Sequence, residues 1–169
     1  MTDPDATRVA LLRRAFAMRA AAYAHIFDVL REEQGEDAAV RLVSRAAERM
    51  GREMGKGLAH NGPGDLAGLR DDFLAGIIER DALFAPEVIG CDADALEIRF
   101  HRCPLKEAWQ DAGRSDGDLQ TLCRIAGAID IGLFEAAGFT FAGSTWTPGQ
   151  SGCCRLRVLP GPGAGDASA

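Results

Sequence analysis

From Val9 onward apolar side chains return every three or four residues, at Leu12, Phe16, Ala20, Tyr23, Phe27 and Leu30, until the polar run "REEQGED" interrupts them. That spacing is one face of an α-helix, with Pro4 suited to its first turn and Gly35 closing it. A second helix is predicted over about 37–58, with Val40, Val43, Ala47, Met50 and Met54 on one face and Arg and Glu on the other. "HNGPGD" reads as a loop, and a third helix follows from about Asp65 to Arg80 on the stripe Leu66, Leu69, Phe73, Leu74, Ile77 and Ile78. The methionines Met18, Met50 and Met54 are read as core filling.

Beyond Arg80 the pattern changes to strict alternation. "EVIGCDADALEIRFHRC" holds two extended runs around a turn at Asp92–Asp94, and Leu96, Ile98 and Phe100 alternate with Glu97, Arg99 and His101. A hairpin with one covered face follows. "PLKEAWQDAG" predicts a short helix begun by Pro104. A longer helix starts near Asp118, with Asp116 or Asp118 as its cap, and runs to Ala137, where Gly138 ends it. "FTFAGSTWT" and "CCRLRVL" read as a closing pair of strands. The expected fold is α+β, a helical N-terminal half packed on a small, mostly antiparallel four-stranded sheet. Residues 1–159 form one domain, and the tail 160–169, "PGPGAGDASA", is expected to be disordered.

Composition narrows the function classes. With 169 residues, 47% hydrophobic and 26% charged, the chain can bury a core of its own. A net charge of −6 argues against a nucleic-acid or anionic-membrane binder and leaves a small molecule as the partner. No apolar run reaches the ~20 residues of a membrane span. "MTDPDATRVALLRR" does not read as a signal peptide, so a cytoplasmic location is the default. The N-terminal helices, with small Ala beside bulky Phe and Leu, are the candidate surface for a homodimer contact.

Five cysteines at irregular spacings do not read as a disulfide framework. Cys103 ends a strand just before a proline, and Cys123 lies in the first turns of the long helix. Asp130 borders that helix's apolar stripe, a costly place for an acid that is neither paired nor used. If Cys153 and Cys154 both belong to the last strand, only one thiol faces the core. Alternation selects Cys154, with Leu156 and Val158, and leaves Cys153 with Arg155 and Arg157. A bulge at Gly152 would reverse the faces. Arg155 and Arg157 read as a solvated face or a carboxylate clamp. His25 and His60 read as surface histidines, and Cys91 as a packed thiol.

These signals have a familiar order: Cys-Pro after a strand, a helix with an internal Cys and a downstream Asp, a Gly-Phe strand entry, and a Gly turn leading into Cys-x-apolar-x-apolar. Over about 96–158 the chain resembles the L-2-amino-thiazoline-4-carboxylic acid hydrolase-like family, and more distantly the small-molecule-binding domain of 4-vinyl reductase proteins. The resemblance implies a site of Cys103, Cys123, Asp130 and one thiol of "GQSGCC"; counting from Gly149 selects Cys153, the strand pattern Cys154. It also implies a small hydrolase that opens a cyclic, amidine-like C–N bond and gives N-carbamoyl-cysteine. Two chemistries suit these residues. Cys103, Cys123 and Cys154 could hold zinc that activates water, or a thiolate such as Cys103 could attack, with Asp130 or His101 moving protons. The alternative function is a non-catalytic sensor or carrier that binds a small ligand or metal in the same cysteine-lined pocket.

Overall fold

The computed structural model describes residues 4–164. Helix α1 (Pro4–Gln34) is followed by α2 (Glu36–Gly55) across Gly35 alone, whose φ of 86° lets the chain reverse between them. The buried face of α2 is Ala39, Val43, Ala47, Gly51 and Gly55, so it continues through glycines where Met50 and Met54 were expected. The reason is the closeness of α6 (Asp116–Ala136). A Cβ at Gly51 would run into the Ile129 carbonyl, and one at Gly132 into the Glu48 carbonyl. Met18, Met50 and Met54 are exposed, which corrects their reading as core residues. Gly132→Ala should therefore destabilise the fold by ~3 kcal/mol, checked by urea unfolding, because backbone rather than a flexible side chain would have to move.

After a 3-10 turn (Lys56–Asn61), α3 spans Leu66–Ala75, capped by the Asp65 carboxylate, which accepts the Gly68 N–H at 2.8 Å. It stops short of the expected Arg80. Glu79 turns left-handed at φ 51°, in an ion pair with Arg8 of α1, and only the short α4 (Arg80–Leu83) follows. Helix α5 (Pro104–Asp111) is pinned to α1 by the Trp109 indole N–H, which donates to the Ala20 carbonyl at 2.7 Å. The cap of α6 is Ser115, whose hydroxyl accepts the Asp118 N–H. Asp116 and Asp118 lie inside the first turn instead, where carboxylates still favour the positive end of the helix dipole.

Strands β1 (Pro86–Cys91), β2 (Leu96–Phe100), β3 (Thr140–Phe141) and β4 (Arg155–Leu159) form an antiparallel sheet in the order β1-β2-β4-β3. The fold is α+β, as the alternation of periods implies. Leu96 and Ile98 pair with Val158 and Leu156, and all four are buried on the face covered by α3 and the end of α6. A second core lies among α1, α2, α5 and the first half of α6. On the outside of α1, Leu11, Met18, Ile26 and Val29 are exposed. Among the described residues, no helix is long and apolar enough to cross a membrane. Of the tail expected to be disordered, Gly161 is buried and donates its N–H to the Pro63 carbonyl at 2.8 Å, and residues 165–169 lie outside the described residues.

Candidate active site

The two cores do not close completely on each other. Between them is a cavity of about 180 Å³, walled by Phe16, Leu105, Trp109 and Ala126 from the helical core and by Phe73, Phe100 and Leu133 from the sheet core. Its polar lining is Arg19, Arg102, Asp130 and four thiols, those of Cys103, Cys123, Cys153 and Cys154. Larger depressions between α1 and α5 and beside Pro63 carry no thiol.

Local chain geometry brings each group there. Cys103 precedes Pro104, which favours extended backbone before it, and at φ −149°, ψ 116° it becomes the residue that enters α5. Its thiol is drawn down to about 7, chiefly by a hydrogen bond from the Cys153 thiol and further by the N–H groups of Lys106 and Leu105 and the Lys106 ammonium. Burial works against this and is outweighed. The Cys153 thiol is pushed up by the same contacts, with Cys103 first and Cys154 next. Cys103 is thus the more readily ionised thiol of the pair, and Cys153 the donor beside it. Cys123, buried on α6, is pushed up to about 12, mainly by burial, and stays a thiol.

Asp130 lies two turns beyond Cys123 on the same helix. Burial first, and then the negative charge on Cys103, raise its carboxyl to about 7, and Arg19 only partly offsets them. A thiol lowered and an acid raised meet in one apolar cavity.

The paired cysteines depart from strand alternation. β4 begins at Arg155, after both of them. The Cys153 N–H donates to the Phe100 carbonyl at 3.0 Å while the Phe100 N–H donates to the Cys154 carbonyl at 2.9 Å, so two residues stand opposite one. This is a β-bulge, reached through Gly152 at φ 80°. Both thiols consequently border the cavity, with their Sγ atoms 3.2 Å apart, and Cys153 is the more buried. The expectation that only one could turn inward is corrected here.

His101 does not line the cavity. It is exposed, and its Nε2 lies 2.7 Å from the Glu87 carboxylate. Among the described residues no three His, Cys, Asp or Glu side chains are placed to hold a metal ion. Cys103, Cys123 and Cys154 are therefore not gathered into the expected zinc set. Cys91 packs against the sheet core, away from the other thiols.

Arg19 was not anticipated, although it lies within the stripe of α1, three residues after Phe16 and four before Tyr23. Like Asp130, it is a charge beside an apolar stripe. Arg102, also in the cavity wall, is committed to Glu107 through two hydrogen bonds of 2.8 and 3.0 Å. Arg19 meets Tyr23, its hydroxyl at 3.5 Å and its ring centroid at 5.5 Å, and no carboxylate pairs with it among the described residues. It is the unneutralised cation of the cavity.

Fold and site together define an α+β protein with a small, thiol- and carboxyl-lined pocket. The chain belongs to the L-2-amino-thiazoline-4-carboxylic acid hydrolase family, whose model matches residues 15–158. A hydrolase-like function follows from that membership. No curated protein matches the chain.

Proposed function

We propose that the protein hydrolyses a small cyclic amidine bearing a carboxylate, of the 2-amino-thiazoline-4-carboxylate type, with Cys103 as nucleophile and Asp130 as proton donor. The observation that carries this reading is the pairing of a thiol lowered to about 7 with a carboxyl raised to about 7 in one cavity. At about 180 Å³ the cavity is below the ~300 Å³ at which drug-sized pockets begin, which suits a single small ring.

The bonds can be followed one at a time. The Cys103 thiolate adds to the amidine carbon as Asp130 gives its proton to the ring nitrogen. To yield N-carbamoyl-cysteine both nitrogens must remain on that carbon, so the ring bond that breaks is carbon–sulfur, and sulfur leaves with the electron pair. This replaces the C–N rupture first inferred from the resemblance. The Asp130 carboxylate then takes a proton from water as its oxygen attacks the same carbon. Collapse of the adduct expels the Cys103 thiolate, and the remaining hydroxyl proton goes to the released sulfur. One water is consumed, and both side chains regain their starting states.

Arg19 holds the substrate carboxylate in this arrangement. Arg19→Gln should raise KM about tenfold or more and leave kcat within a few-fold, since the contact is made equally in ground and transition states. Incubating the purified protein with L-2-amino-thiazoline-4-carboxylate tests the whole reading. New free thiol together with N-carbamoyl-cysteine supports it; saturable binding without turnover returns the site to the carrier or sensor reading.

A further inference from the structure

The sheet's outer face carries a feature that the hydrolytic reading does not use. The register of β2 and β4 sets Arg99 directly opposite Arg155. Like charges so placed repel unless something neutralises them. The adjacent pair, Glu97 and Arg157, is neutralised by a 3.4 Å ion pair. Glu87 stands opposite Arg99 on the other side, but its carboxylate is engaged by His101. Among the described residues no carboxylate forms an ion pair with either Arg99 or Arg155, and Arg99 has one hydrogen bond, a long one of 3.4 Å to the Ser151 hydroxyl.

The segment after β3 folds over this pair and encloses a polar cavity of about 210 Å³, whose lining adds Ser144, Gln150 and Ser151 to the two arginines. Gln150 turns its side-chain oxygen back to accept from the Thr147 N–H and hydroxyl, both at 3.2 Å, which leaves its amide nitrogen as a donor. Two arginines, an amide side chain and two hydroxyl side chains thus line one space, and no acid lines it. Donors of this kind, without an acceptor carrying charge, are complementary to an oxyanion.

We propose that Arg99 and Arg155 form a second site, which binds a small oxyanion, either phosphate or carboxylate. Cys153 and Cys154 line both this cavity and the apolar one, so the site sits against the back of the thiol pair. An anion held here neutralises the Arg99–Arg155 repulsion and fixes the turn that carries Gly152 and the two cysteines. The inference does not depend on the hydrolytic reading.

Calorimetric titration of the full chain with inorganic phosphate, and separately with succinate, at ionic strength held constant with chloride, tests it. Saturable binding of either is expected, and the anion that binds identifies the oxyanion class. Arg99→Gln and Arg155→Gln should each weaken that binding about tenfold. Arg157→Gln, which alters an arginine already paired with Glu97, should leave it unchanged, as should Cys103→Ala, which separates this site from the hydrolytic one. Absence of saturable binding with both anions, or equal weakening by Arg157→Gln, overturns the proposal. Unchanged circular dichroism of the variants ensures that a loss reflects the site.

Discussion

Cys103→Ser is expected to lower turnover of L-2-amino-thiazoline-4-carboxylate by about 10³-fold or more, with the fold intact. A serine hydroxyl at the start of α5 retains the shape of the side chain but not its ionisation, and the same N–H groups and Lys106 that stabilise a thiolate cannot make an alkoxide at neutral pH. Neither Cys153 nor Cys123 substitutes for it, because both are pushed up and stay protonated. Cys123→Ala should therefore reduce turnover far less than Cys103→Ser. The comparison of kcat/KM across the two variants, with substrate depletion followed directly, checks this ordering.

Asp130→Asn should have two effects of opposite sign. Turnover falls by ~10²-fold or more, since the amide cannot deliver a proton to the ring nitrogen. Stability rises at alkaline pH. In the folded protein the carboxyl is raised from 3.8 to about 7, so its proton is bound more tightly in the native than in the unfolded chain. The contribution of that proton is fully present below the unfolded value and is lost as pH rises through the folded one. The shift corresponds to ~4 kcal/mol as an upper bound, and less where the side chain relaxes toward solvent. Asp130→Asn removes the ionisation, so it should be more stable than the parent by ~2 kcal/mol at about pH 8, with the gain vanishing toward about pH 4. Urea unfolding at both pH values measures this. A residue retained for folding alone would show the reverse, a loss of stability on replacement at alkaline pH.

How far the chain's own pattern reaches can be judged from particular residues. The stripe Leu12 to Leu30 and the alternation Leu96, Ile98, Phe100 gave helix and strand correctly, because each period belongs to one kind of element. Close approach of two helices is written differently. Gly51 and Gly55 on α2 and Gly132 on α6 carry no hydrophobic signal, whereas Met50 and Met54 do, although backbone contact between α2 and α6 is what selects the face. Cys103, Cys123 and Asp130 were all found as groups at element boundaries or beside an apolar stripe, and they do meet. The arrangement of Cys153 and Cys154 was not readable, since a bulge is settled by hydrogen bonds to Phe100 on another strand. Arg19 and His101 mark the same limit: which polar side chain reaches a cavity depends on what packs across it, and α1 and β2 are set there by partners distant in sequence.

The central claim is that Cys103 forms a covalent bond to the amidine carbon. Rapid acid quench of the protein with L-2-amino-thiazoline-4-carboxylate, followed by mass analysis of the intact chain and its peptides, tests it most directly. The account predicts a transient species heavier by the mass of the whole substrate, because ring opening retains every atom, with the addition mapped to the peptide carrying Cys103 and absent in Cys103→Ser. Turnover that proceeds undiminished in Cys103→Ser, or an adduct mapped to Cys153 or Cys154 instead, would contradict it.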